Sequence, residues 1–255
     1  MLLAIDVGNT NLTLGVFRGS ELLHDWRLKT DRDQTVDGWG VLIRNLLTLA
    51  GLSATEIDGI VIASVVPSLN NSLRRMAERY FQQTPLLLDS TVNTGLTIAI
   101  DNPSEVGADR IANSVAAFER FGGPCVAVDF GTAINFDVVQ ANGSYVGGLL
   151  CAGVEVAAKA LFSNTARLPQ IEVTRPAKLI GTNTVSALQS GLFYGSLGLL
   201  DGILERLLAE LGPETKIVGT GGQAHVICPS SKYVQVVDEH LTLKGLRLVW
   251  ERVNR

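Results

Sequence analysis

Apolar residues in this chain fall into two patterns, short alternating or β-branched runs and longer stretches at helical spacing. Leu2-Leu3-Ala4-Ile5, then Leu12, Leu14, Val16 and Phe17, then His24 to Lys29 predict three successive strands. Val36, Trp39, Leu42, Ile43, Leu46, Leu47 and Ala50 predict a helix over 36–50. Ile60 to Val66 is a β-branched run that reads as a buried strand, stopped by Pro67. A helix over 69–81 and a short strand at Leu86-Leu87-Leu88 complete a β-β-β-α-β-α-β order. A helix over 104–122 then starts at Pro103-Ser104 and ends at Gly122-Gly123-Pro124. Beyond it come strands at 126–128, 136–139 and 145–150, a helix at 154–162, and a Pro- and Thr-rich connection at 163–183. The long stretch 184–211 is helical, 216–218 and 233–237 are strands, and 241–253 closes the chain as a helix. This order divides the chain into lobes 1–103 and 104–255, with 104–122 as a crossing helix.

One local pattern occurs in both halves. Asp6-Val7-Gly8-Asn9-Thr10 and Asp129-Phe130-Gly131-Thr132-Ala133 each end an apolar run and lead into alternating β-prone residues. A single offset superimposes Asp6 on Asp129 and Gly8 on Gly131. The repeated unit is a β-meander with a carboxylate and a glycine at its first corner, and it suggests two similar lobes facing a shared cleft. A glycine in a tight turn lets backbone N–H groups approach an oxyanion, and the aspartate can hold a cation that neutralises phosphate charge. An ordinary hairpin turn is the alternative for either copy alone.

Composition narrows the function classes. Length and the 46% hydrophobic content suit a well-buried α/β protein, and a net charge of −4 without basic blocks argues against nucleic acid as a partner. Cys125, Cys151 and Cys228 are widely separated, which points to a reducing, cytoplasmic setting rather than a disulfide framework or zinc site. Asp6 interrupts the apolar N-terminus, and no run is long enough to span a membrane. There is no P-loop, no G-x-S-x-G elbow and no H-E-x-x-H pair, and His24, His225 and His240 are scattered. Carboxylates beside glycines remain, namely Asp6, Asp129 and Asp109.

Asp109 sits in Gly107-Ala108-Asp109-Arg110, near a helix start. Arg110 and the helix N-terminus are expected to depress its pKa and keep it ionised, able to accept a hydroxyl proton as a general base. Gly107 and Ala108 leave room for a substrate. A surface Asp–Arg pair completing a helix start is the competing reading. On 184–211, Leu192, Phe193, Gly195, Leu197, Leu199 and Leu200 exceed one buried stripe. They suggest a second packing face, with a fully buried core helix as the alternative.

The two Asp-x-Gly meanders, the crossing helix and a later strand ending in Gly219-Thr220-Gly221-Gly222 resemble the actin/hexokinase/Hsp70-like kinases. Asp6-Val7-Gly8-Asn9-Thr10-Asn11, Gly107-Ala108-Asp109-Arg110, Asp129-Phe130-Gly131-Thr132-Ala133 and Gly181-x-Asn183-Thr184 are similar to the type III pantothenate kinases over essentially the whole chain. That resemblance implies an α/β fold of two duplicated ribonuclease H-like lobes with an interlobe cleft. It implies ATP-dependent phosphorylation of the primary hydroxyl of pantothenate, the first step of coenzyme A synthesis. ATP would be bound by Asp6, Val7, Gly8, Asn9, Thr10, Asn11, Leu12, Thr13 and Thr132, with Asp6 helping to hold Mg²⁺. Asp129 would bind a monovalent cation, K⁺ or NH₄⁺. Pantothenate would meet Ile100, Gly107, Ala108, Asp109, Arg110 and Thr184, with Asp109 as proton acceptor, in a homodimer whose pocket lies at or near the subunit interface. Ile100 stands where many members have Tyr, Ile134-Asn135 replaces a commoner Thr-Thr, and Cys151-Ala152-Gly153 replaces Ala-Pro-Gly. Another phosphotransferase of the superfamily and a non-catalytic nucleotide-binding regulator are the alternatives; the first would share Asp6 and Asp129 but not the 107–110 turn.

Overall fold

A computed structural model describes residues 1–163, 169 and 171–255. It contains two compact units. The first comprises Met1–Leu96, Asp101–Ala116 and Thr242–Arg255; the second comprises Thr97–Ile100 and Ala117–Leu241.

In the first unit β1 (Leu2–Val7), β2 (Asn11–Arg18) and β3 (Glu21–Lys29) form the antiparallel meander. After α1 (Val36–Leu49) comes β4 (Gly59–Ser64), and after α2 (Pro67–Phe81) comes β5 (Leu86–Leu87). The sheet order is β3-β2-β1-β4-β5, with β4 and β5 parallel to β1. Period-2 alternation sends Leu3, Ile5 and Val7 to one face, where Trp39, Ile43 and Leu47 of α1 and Leu69, Leu73 and Met76 of α2 cover them. Burying each such side chain contributes about 1.5–3 kcal/mol. Thr35 caps α1 by accepting from Gly38 N at 3.0 Å, and Pro67 starts α2 at a position that needs no N–H. Asp6 lies on the opposite face, on which the closing helix α7 (Leu241–Val253) packs Leu243 against Gly15 and Trp250 against Gly59.

The second unit repeats this plan. Its meander is β7 (Cys125–Phe130), β8 (Ala133–Val139) and β9 (Ser144–Ala152), and β10 (Lys216–Thr220) and β11 (Val236–Val237) run parallel to β7. The order is β11-β10-β7-β8-β9-β6, where the added β6 (Thr97–Ile98) pairs with β9. Val126, Val128 and Phe130 face a core closed by Val154 of α4 (Val154–Ser163) and by Leu192, Phe193, Leu200 and Leu204 of α5 (Thr184–Leu211). Asp129 lies on the other face, as Asp6 does. Even the irregularity repeats: the register slips between Val16 and Phe17 in one meander and between Val138 and Val139 in the other.

Several expectations change. The helix expected over 104–122 is α3 (Ala108–Phe121). Pro103–Glu105 is a separate 3-10 turn, closed where the Asn102 side chain accepts from Ser104 N. Residues 108–116 of α3 group with the first unit and 117–121 with the second, and α7 belongs to the first unit although the sequence reading assigned it to the second lobe. The final strand is two residues long, because only Val236 and Val237 pair with β10. β6 and the short helix α6 (Ala224–Ile227) carry no periodic signal in the sequence. Part of the expected 163–183 connection, residues 164–168 and 170, lies outside the described residues. Along α5, Leu192, Phe193 and Leu200 are buried, and Leu197 and Leu199 pack against the same core. The open side is instead small: a Cβ added at Gly191, Gly195 or Gly198 would meet nothing within 4 Å.

Candidate functional site

In the first unit the chain turns between β1 and β2 through Gly8, whose N–H donates to Asn11 O at 2.9 Å. Asp6 stands opposite Thr13 on β2 and Ala63 on β4. Asn9 and Thr10 are exposed. Val7 and Leu12 are fully buried core residues, so a ligand would meet them only through the main chain. Residues 6–13 thus run continuously from the end of β1 through the turn into β2.

The 107–110 turn is built beside it. Val65, just past β4, donates to Val7 O at 3.0 Å, and a Cβ on Gly107 would lie 3.3 Å from Val65 Cγ1. The segment carrying Asp109 therefore abuts the end of the strand next to the one carrying Asp6. Ala108 is buried. Asp109 opens α3 half-buried, and its Oδ1 accepts from Arg110 N at 2.8 Å. Burial pushes its carboxyl above the ordinary carboxylate range, against the lowering effect of the Arg110 N–H and guanidinium. This corrects the expectation of a depressed pKa: desolvation outweighs the arginine.

In the second unit the corner is shorter by one residue, with Gly131 N donating to Ala133 O at 3.0 Å. Asp129 stands opposite Asn135 on β8 and Thr220 on β10. The glycine turn after β10 lies against it. Gly221 has φ +90, and a Cβ there would collide with Asp129 Oδ1 and come within 2.6 Å of Phe130 N. Thr132 is exposed in the corner. Of the unusual Ile134-Asn135 pair, Ile134 is a core residue, whereas Asn135 shares the face of Asp129. Asn135 Oδ1 is buried with no hydrogen-bond partner. In sequence Asn135 is marked only by its departure from the commoner Thr-Thr pair; its register opposite Asp129 is the signal that singles it out.

Ile100 and Thr184 stand on other elements of the second unit. Ile100 follows β6 and lies beside Gly147 of β9, with Cγ2 3.5 Å from where a Cβ would be. Thr184 is the first residue of α5, after Asn183, whose side chain accepts from Ser186 N at 2.9 Å. It lines a cavity of about 620 Å³ with Gly181, Leu188, Gly191 and Leu161. Among the described residues no group of three or more His, Cys, Asp or Glu side chains could hold a metal by itself. A single carboxylate such as Asp6 suits Mg²⁺ carried by phosphates, since that ion keeps substrate oxygens and water as its other ligands.

The family model described as type III pantothenate kinase matches residues 2–206. The chain is 54% identical over 252 residues to the type III pantothenate kinase of Solibacter usitatus, covering 99% of this chain and 97% of that protein. It is 53% identical over 262 residues to that of Koribacter versatilis, covering 99% and 96%. Among solved structures, a Campylobacter jejuni protein described as a conserved Baf family transcriptional activator superposes with TM-score 0.59 at 19% identity, over 99% of this chain and 100% of that one. A ROK family glucokinase from Streptomyces griseus superposes with TM-score 0.54 at 12% identity, over 99% of each chain. These structures share the actin-like ATPase fold of two duplicated lobes. On the match to its family model and to relatives along nearly its whole length, the chain belongs to the type III pantothenate kinase family.

Proposed function

We propose that this protein transfers the γ-phosphoryl group of ATP to the primary hydroxyl of pantothenate, giving 4'-phosphopantothenate for coenzyme A synthesis. The observation that carries the residue assignment is the seat of Asp109, a half-buried carboxylate with a raised pKa on a turn that abuts the strand next to Asp6. A base poised above the ordinary carboxylate range holds an accepted proton better than an exposed one. Arg110 N–H fixes Oδ1, so Oδ2 takes the hydroxyl proton as the substrate oxygen attacks the γ-phosphorus and the bond to the β-bridging oxygen breaks, releasing ADP. Such transfers depend mainly on positioning and charge stabilisation. Residues 6–13 hold the nucleotide phosphates, and Gly107, Ala108 and Arg110 hold pantothenate; Thr132, for the nucleotide, and Ile100 and Thr184, for pantothenate, are assigned on the family resemblance alone.

Mg²⁺ carried by ATP would supply charge neutralisation at the phosphates, and Asp6 would help to hold it. Asp129 and the unpartnered Asn135 oxygen supply hard oxygen donors on one face, a set that fits K⁺ or NH₄⁺. The open glycine side of α5, with Val185, Phe162, Leu179 and Ile180 exposed nearby in the chain, supports a homodimer that completes the pocket at Thr184. No described helix is long and apolar enough to cross a membrane, and the three cysteines are free, which suits a reducing cytoplasm.

The test is to incubate purified protein with ATP, Mg²⁺ and K⁺ and a panel of acceptors: pantothenate, hexoses, acetate and polyphosphate. Pantothenate alone should be phosphorylated. Turnover of a sugar or acetate in its place would overturn the assignment.

A further inference from the structure

A segment of the first unit grips the Gly8 corner and has no role in the assignments above. Thr30 follows β3 directly, donating its backbone N–H to Thr10 O at 2.9 Å and its hydroxyl to Gly8 O at 2.7 Å. Two residues on, Arg32 Nη2 donates to Asn9 Oδ1 at 3.0 Å. Three consecutive corner residues are thus held by residues 30–32, and Thr30 itself is buried.

The duplication provides an internal comparison. Gly153 follows β9 as Thr30 follows β3, and its N–H donates to Thr132 O at 3.1 Å as Thr30 N donates to Thr10 O. There the correspondence stops. A Cβ on Gly153 would collide with Gly131 O and Thr132 O, so the second corner closes onto bare backbone. The first corner has one more residue, which makes room for a side chain, and the Thr30 hydroxyl fills it. A longer corner has more conformations to lose when it closes round an anion. The peptide unit is planar and trans, so a hydrogen bond that holds Gly8 O also directs the Asn9 N–H to the opposite side.

We propose that Thr30 is a positioning residue for phosphoryl transfer: its hydroxyl fixes the Gly8–Asn9 peptide so that the corner is preset for the ATP phosphates. This rests on the assignment of residues 6–13 to the nucleotide. Thr30 touches no substrate; it acts through the corner.

The experiment compares Thr30→Val, which keeps shape but removes the hydroxyl, with Thr30→Ser, which keeps it. Loss of one sheltered hydrogen bond should raise the KM for ATP about tenfold in Thr30→Val while the KM for pantothenate stays within about twofold. Calorimetric affinity for Mg²⁺·AMPPNP should fall by the same factor, and Thr30→Ser should restore both. Thermal melting of each variant reports folding separately. Wild-type ATP KM and nucleotide affinity in Thr30→Val would overturn the inference, and so would an equal loss for both substrates in the two variants, the mark of a purely structural role. A wild-type protein that binds nucleotide and phosphorylates pantothenate beside an unaffected Thr30→Val overturns this inference alone. A wild-type protein that binds no nucleotide overturns the kinase assignment with it.

Discussion

Asn135 stands directly opposite Asp129 across the ladder that joins β7 and β8, and its Oδ1 is buried with no hydrogen-bond partner. Buried acceptors are nearly always satisfied, so an orphan oxygen beside a carboxylate is consistent with the cation proposed at Asp129. Activity measured in Na⁺ alone should rise on adding K⁺ or NH₄⁺. Asp129→Ala should lose that response, and Asn135→Ala should require several-fold more K⁺, roughly the effect of one hydrogen-bond-sized contact. Equal rates in every monovalent salt would remove the site.

Asp109→Asn keeps the size of the side chain and removes the base. The turnover number should fall about 10²–10⁴-fold, the usual contribution of general-base catalysis. Near-normal turnover would leave Asp6 as the next candidate.

The raised pKa of Asp109 has two pH consequences. The acid limb of kcat/KM should fall above the ordinary carboxylate value of about 3.9, because the free enzyme's base must ionise first. Stability moves the other way. The folded protein binds the proton more tightly than the unfolded chain, so stability declines as pH rises from the unfolded pKa through the folded one, and stays lower above it. Asp109→Asn should therefore melt higher than wild type at neutral pH and match it more closely in acid. A lower melting temperature at neutral pH would contradict the burial argument.

Gly221→Ala should damage site and fold together. The residue sits at φ +90, and a Cβ would strike Asp129 Oδ1, forcing that side chain to turn away, and the Phe130 backbone, which cannot move without distorting β7. The cost should be about 1–3 kcal/mol or more, read as a lower denaturation midpoint. Activity should fall with it, and a fully active, equally stable variant would show that the turn can relax.

Gly195→Leu tests the open side of α5. A Cβ there meets nothing within 4 Å, so the helix has room for a side chain to start outward, and replacing a helical glycine adds up to about 1 kcal/mol of helix propensity. If a second copy docks on this side, the variant should sediment as a folded monomer and lose activity on pantothenate. A fully active dimer would move the interface elsewhere.

The duplication was legible in the chain because a meander is a local object. Alternation of Leu3, Ile5 and Val7, and of Val126, Val128 and Phe130, sets which face is apolar, and Asp-x-Gly marks where each strand must turn. Three catalytic candidates, Asp6, Asp109 and Asp129, could be named for the same reason: each sits in a short motif with its own glycine. What tertiary structure decided depends on contacts between residues far apart in sequence. Whether Asp109 is held down by Arg110 or pushed up by burial depends on how deeply α3 sits, which no local spacing records. That Thr30 reaches Gly8, that Asn135 stands beside Asp129, and that Gly221 closes on it follow from strand pairing and register. The surplus of leucines on α5 was ambiguous for the same reason. Composition says how much apolar surface a helix carries, but only packing says that the leucines fill the core and that the glycines are left facing outward.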